Sequence, residues 1–294
     1  MNGFSYNTVR LLGVKFVSLF AWVVSTGYFL FAPTRVAISV RFYKALFPER
    51  SLFYYLWCTW KQFHSFASLF AERLELEEGG QIEYTSEGWD HLERAAEEKT
   101  GGIIVMSHLG NWEVAARLLK RSGLKILLYM GQRRDEQVEK TQKRSLKSED
   151  VDLVTVDDSG SEPLNGLQGL KSLKEGGFVS IAGDRVWQKN QRLVEVPFLG
   201  HTVALPQAPY LFAAIAKVPV YFFFTFRTES GKYHFQISSP NYIKPSSRSD
   251  REACVQKAAR EYAALLEDVV RKFPFQWYHF EPFLGDEAKQ GASS

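Results

Sequence analysis

Residues 101–113 read Gly-Gly-Ile-Ile-Val-Met-Ser-His-Leu-Gly-Asn-Trp-Glu. A glycine pair opens four consecutive apolar residues, and a histidine follows where the run stops. An apolar run without polar alternation fits a strand covered on both faces, as in parallel sheets. A helical pattern then continues to Gly123. Val114, Ala115, Leu118 and Leu119 share one side, and Lys120 and Arg121 stand near the C-terminal end, where the helix dipole favours them. Strand, tight turn and helix in this order place polar residues beyond the carboxyl end of the strand. Open α/β sheets carry their active sites there.

The same alternation continues. A short helix is predicted over Ser86–Lys99, then strands over 103–107, Lys125–Met130, Asp152–Val156 and Phe178–Ala182. Helices are predicted over 111–122 and 136–148, through Leu164, Leu167, Leu170 and Leu173, and over Pro206–Lys217. After Gly183-Asp184-Arg185 a loop leads to Val196–Gly200, and Val220–Arg227 and Tyr233–Ser238 read as a hairpin turning through Glu229-Ser230-Gly231. Ser249-Asp250-Arg251-Glu252 reads as a capping box opening a helix to about Lys272. The expected fold class is α/β, a mainly parallel central sheet covered by helices.

Upstream, Phe16–Ala32 contains no charged residue, and 17 residues reach the lower limit for a membrane-spanning helix. Trp22 and Tyr28 within it and the flanking Lys15 and Arg35 look like interfacial anchors. Ala32 runs into Pro33 without a signal-cleavage pattern, so a retained hydrophobic anchoring helix is expected, inserted or lying in the interface. A second aromatic-rich helix covers about Pro48–Leu76. Residues 1–50 carry six basic side chains against Glu49, +5 of a chain total of +3, so the remainder carries −2. A basic, aromatic N-terminus points to an anionic membrane surface rather than nucleic acid. The two cysteines, Cys58 and Cys254, are far apart in predicted helices, against a disulfide framework and for a reducing compartment. The expected division is an anchor over 1–35, an α/β domain over 36–284 and a disordered polar tail over 285–294.

His108 is the candidate general base, since a neutral imidazole takes a hydroxyl proton near pH 7 when a partner fixes its tautomer. Glu113, in the first turn of the next helix, is the candidate partner. Taken singly, each is an ordinary strand-end histidine or helix-start acid. Together, after a buried strand and Gly-Asn-Trp, they read as a site. No third ligand at helical spacing accompanies them, which argues against a metal. Asp184-Arg185 ends the strand at 178–182 and falls on the same sheet edge if the strands are parallel; Arg185 suits a phosphate or carboxylate, or a structural ion pair. Arg133 and Arg134 follow the strand at 125–130, making that edge cationic. The later cations, among them Lys140, Lys143, Arg144 and Lys147, read as a solvated face. Asn111 serves either as helix cap or as substrate donor, capping being the default. Ser107 is a poor nucleophile for His108, because adjacent strand residues face opposite ways.

His108-Leu-Gly-Asn-Trp-Glu113 resembles the His-x4-acid signature of the glycerolipid acyltransferase superfamily, and its wording is similar to the bacterial lipid A biosynthesis acyltransferases of lauroyl/myristoyl type. Gly183-Asp184-Arg185, Val196-Pro197-Phe198-Leu199-Gly200, Phe275-Gln276-Trp277-Tyr278 and the basic hydrophobic N-terminus add to the resemblance, which spans about residues 10–284. It implies an O-acyltransferase at the cytoplasmic face of the inner membrane. An acyl thioester of acyl carrier protein or coenzyme A would donate to a hydroxyl of a lipid or glycolipid such as a lipid A precursor, without cofactor. It further implies that His108 acts with Glu113, and that Arg133, Asp184 and Arg185 bind substrate, to which the residue reading adds Asn111 as a candidate. Gly131-Gln132-Arg133-Arg134 departs from the family's usual wording, which leaves the acceptor open to another glycolipid. A thioesterase or lipid hydrolase, and a non-catalytic lipid or carrier binder, are the competing readings.

Overall fold

The computed structural model describes residues 19–77, 83–131, 146, 151–156, 162–186, 191–228 and 232–285. The helix expected at 136–148, except residue 146, lies outside them, as do Arg133, Arg134, the expected 229–231 turn and the tail beyond 285.

The predicted strands form one mainly parallel sheet, joined by an unexpected strand, β1 (Tyr84–Glu87), which takes up the first residues of the helix predicted from Ser86. In chain order the others are β2 (Gly102–Met106), β3 (Ile126–Gly131), β4 (Asp152–Val156), β5 (Phe178–Ala182), β8 (Val220–Arg227) and β9 (Tyr233–Ile237). The spatial order is β1-β9-β8-β2-β5-β3-β4. β8, β2, β5, β3 and β4 are parallel, whereas β9 pairs antiparallel to β8 and carries β1 parallel beside it. β5 is inserted between β2 and β3, so Met106 stands opposite Ala182. Two residues further along each strand come His108 and Asp184.

Every residue of β2 is buried. Ile103 and Val105 face one core with Phe222, Phe224 and Tyr262; Ile104 and Met106 face another with Val114, Leu118 and Leu119. The alternation is that of a strand covered twice. The first core is closed by helices α2 (Pro33–Leu46), α3 (Leu52–Glu77), α7 (Ala208–Ala216) and α8 (Arg251–Lys272), the second by α4 (Trp89–Glu97) and α5 (Trp112–Arg121). α6 (Glu162–Lys174) precedes β5.

Two details differ from expectation. The loop expected to lead up to Val196–Gly200 is shorter, because that segment belongs to a separate antiparallel hairpin, β6 (Leu193–Phe198) and β7 (His201–Pro206). It turns through Leu199 and Gly200 at φ 50° and 77°, and Glu267 of α8 accepts the Leu199 amide at 2.6 Å. The capping box does not form: Ser249 Oγ meets Ser247 Oγ at 2.8 Å, and the Asp250 carboxylate turns back to the Ser246 amide at 3.0 Å. The described part of the apolar N-terminal run is one helix, and the bend follows it. α1 (Leu19–Phe31) turns by 89° into α2, because Pro33 lacks the amide that would continue the ladder and instead opens the next helix.

Thirteen residues of α1 reach about 20 Å at 1.5 Å each, short of a hydrocarbon core of about 30 Å. No single described helix is long and apolar enough to cross a membrane; the bent pair meets the test by length and composition. α1 packs on α3 through Trp22–Trp60, Phe29–Phe63 and a Thr26–His64 hydrogen bond of 3.0 Å. Its other side exposes Leu19, Phe20, Val23, Leu30 and Phe31, with Phe53 and Trp57 of α3 also uncovered.

Candidate active site

β2 ends at Met106, and the chain turns through Ser107–Gly110 before α5. Gly110 makes the turn possible: its φ is +63°, and a Cβ there would lie 2.0 Å from the Thr225 carbonyl oxygen of β8. Asn111 then caps α5, its Oδ1 accepting the Val114 amide at 3.2 Å while Nδ2 reaches the Tyr233 hydroxyl at 3.3 Å. Both ends of this buried side chain are engaged within the protein, and of the two roles considered for Asn111 the structure shows the cap.

His108 and Asp184 meet at the carboxyl edge of the sheet. His108 Nδ1 is 2.8 Å from Asp184 Oδ1, and the His108 amide donates to Asp184 Oδ2 at 2.7 Å. The Trp277 indole donates to the same Oδ2 at 2.9 Å. The Asp184 side chain has no exposed surface, while that of His108 retains 16%. Burial opposes ionisation of Asp184, but His108 by charge and hydrogen bond, then His279 and the Trp277 N–H, outweigh it. The carboxyl is held well below the usual carboxylate range. An ionised Asp184 requires the proton on His108 Nδ1, which leaves Nε2 as the basic nitrogen.

This arrangement revises two assignments. The carboxylate that orients His108 is Asp184 and not Glu113. Glu113 is buried in the first turn of α5, with Oε1 3.7 Å from Arg117 Nη2. Helix geometry favours that i,i+4 neighbour. Asp184, expected to contact substrate, is enclosed by protein donors and holds the histidine instead. Arg185 is also buried, with Nε 3.9 Å from Glu281 Oε1. Arg133 lies outside the described residues. Among the described residues no group of three His, Cys, Asp or Glu side chains is placed to hold a metal ion.

A C-terminal segment completes the site. Residues 276–279 run antiparallel beside the His108 turn, with Leu109 bridged to Trp277. Gln276 O accepts the Gly110 amide at 2.7 Å, and the Tyr278 amide donates to His108 O at 2.8 Å. His279 Nε2 donates to the Asp184 carbonyl at 2.9 Å. Burial lowers the pKa of His279 to about 4, against the opposing charge of Asp184, so the ring is neutral. The sequence marks Phe275–Tyr278 as one of the stretches that carry the family resemblance, but no spacing shows what Trp277 and His279 touch.

The model of the bacterial lipid A biosynthesis acyltransferases matches residues 60–284, more than half of the chain. The chain belongs to that family. The match begins within α3 and takes in the His108 turn, Asp184 and the 276–279 segment, while α1 and α2 precede it. No curated protein matches the chain. A lipid A biosynthesis acyltransferase transfers an acyl group from a donor to a lipid acceptor, and the chain is an enzyme of this type.

Proposed function

We propose that this lipid A-type acyltransferase works as an O-acyltransferase with His108 as general base. The observation that carries the reading is the 2.8 Å bond between His108 Nδ1 and a fully buried, ionised Asp184. His108 Nε2 takes the proton of an acceptor hydroxyl as its oxygen attacks the carbonyl carbon of an acyl thioester. The tetrahedral intermediate then collapses, the C–S bond breaks, and the imidazolium returns the proton to the departing thiolate. Asp184 fixes the tautomer in the first step and offsets the imidazolium charge in between. Glu113 assists indirectly, through the Arg117 pair at the start of the helix that follows the His108 turn.

The donor in this reading is acyl carrier protein or coenzyme A, and the acceptor a lipid A precursor or related glycolipid held at the sheet edge by Arg185 and Arg133. The exposed apolar side of α1 seats the protein on the cytoplasmic face of the inner membrane. The aromatic side chains there and the basic excess of the N-terminal 50 residues support this placement. Two unpaired cysteines accord with a reducing compartment.

The test is incubation of the purified protein with labelled acyl thioester, with and without acceptor lipid. Acceptor-dependent acyl lipid that disappears in His108→Ala supports the reading. Free fatty acid released at one rate regardless of acceptor would instead indicate a thioesterase. Full activity in His108→Ala would overturn the proposed base.

A further inference from the structure

We propose that Trp277 is a positioning residue for the reaction: its indole N–H holds Asp184 Oδ2 and thereby fixes the His108–Asp184 pair. The inference rests on the reading of His108 as general base. Asp184 follows a strand end, and its two oxygens serve three donors: the His108 ring, the His108 amide and the Trp277 indole. The first two come from the residue being oriented, so they move with it. Trp277 is the donor supplied from elsewhere in the chain, 93 residues away.

The indole is itself held on every side. Trp277 is 1% exposed, its carbonyl accepts Gln62 Nε2 of α3 at 2.6 Å, and its ring meets Phe42, Phe198 and Phe283 at centroid distances of 5.1, 5.5 and 5.0 Å. His279 stacks on it at 5.0 Å and bonds the Asp184 main chain. The one polar atom of a large, immobile side chain thus meets the carboxylate at 2.9 Å. A residue that only filled the core would have no need of this alignment. A hydrogen bond to a charged group in a dry site is among the stronger ones, and its loss leaves the Asp184 carboxylate held by His108 alone.

Two variants remove the N–H and keep the bulk: Trp277→Phe, and replacement of Trp277 by β-(3-benzothienyl)alanine, which puts sulfur in place of the N–H at unchanged shape. Each is expected to lower kcat by roughly 10- to 100-fold, the scale of one charge-assisted hydrogen bond, with KM changed less than about two-fold. The low-field Nδ1 proton resonance of His108 is expected to broaden and move upfield in both. Phe198→Leu, which disturbs the same packing without touching Asp184, serves as control and is expected to lower stability while leaving kcat unchanged. A folded benzothienyl variant with normal kcat and an unchanged His108 resonance overturns the inference, including where Trp277→Phe does not fold. The resonance also separates the two claims. If it moves in a protein that shows no acyl transfer with any donor, Trp277 positions the pair and the proposed reaction is wrong.

Discussion

Asp184 grips His108 twice, accepting the ring Nδ1–H on one oxygen at 2.8 Å and the main-chain amide on the other at 2.7 Å, across 76 residues of sequence. Ring rotation and loop displacement are therefore restrained by the same carboxylate. Asp184→Asn keeps the shape but offers an amide where an anion stood, favouring the wrong imidazole tautomer. Its kcat is expected to fall about 1,000-fold or more, with substrate affinity nearly unchanged. Steady-state kinetics on the folded variant check this, and a loss below ten-fold would remove Asp184 from the proposed mechanism.

Glu113 and Arg117 are almost fully buried, 3.7 Å apart at their closest atoms. Glu113→Ala takes one charge from beside the other and is expected to destabilise the protein by about 3 kcal/mol. Adding Arg117→Met should recover most of that loss, because two apolar residues replace a desolvated pair. Urea denaturation of the single and double variants measures the coupling. Equal stability of the two would show that the pair is energetically silent.

Gly110→Ala places a methyl group 2.0 Å from the Thr225 carbonyl oxygen at a φ of +63°. Backbone strain and overlap add, so a loss of about 3 kcal/mol or more is expected. The turn carrying His108 must shift to accommodate the new group. Thermal melting should register the loss and acyl transfer should fall with it; a variant of normal stability and activity would mean that the turn is more adaptable than its packing indicates.

Acid should destabilise the fold in two stages. Burial lowers His279 to about 4 from an ordinary 6.5, so the unfolded chain binds the extra proton first. Stability is full above pH 6.5 and declines as pH falls toward 4, by about 3 kcal/mol at one proton over that interval. Asp184, held below the usual carboxylate range, adds a second loss only below its ordinary value near 3.8. His279→Gln should flatten the slope of unfolding free energy between pH 6.5 and 4. An unchanged slope in that variant assigns the acid sensitivity to other groups.

Phe31 and Phe53 are exposed to 85% and 84%. If this face seats the protein on lipid, Phe31→Asp with Phe53→Asp should weaken binding to vesicles containing anionic phospholipid by about 100-fold or more, at roughly 2 kcal/mol for each buried aromatic ring lost. Co-sedimentation provides the measurement, and equal pelleting of wild type and variant would remove the role of this face.

The elements themselves were largely legible. Asp152–Val156 and Phe178–Ala182 are strands over the expected residues, and Val220–Arg227 pairs antiparallel with the strand at Tyr233. His108 does stand just past a buried strand. Such features follow from periodicity and glycine placement, which act over a few residues. The Leu199-Gly200 turn escaped notice because a leucine at positive φ carries no turn signature, and it depends on Glu267 from a distant helix. The 89° bend falls just past the uncharged run, where Pro33 opens the next helix.

By itself the sequence determined the class of fold, the strand that bears the histidine and the family. It could not choose the histidine's partner. Glu113 is five residues away and Asp184 seventy-six, and local spacing favours the nearer acid. Helix geometry directs Glu113 toward Arg117, while insertion of β5 beside β2 brings Asp184 to His108. The segment at 276–279 then closes over both. Strand order and the docking of a remote segment arise from burying apolar faces of the whole chain together, so only the tertiary structure decides which carboxylate becomes the partner of the base.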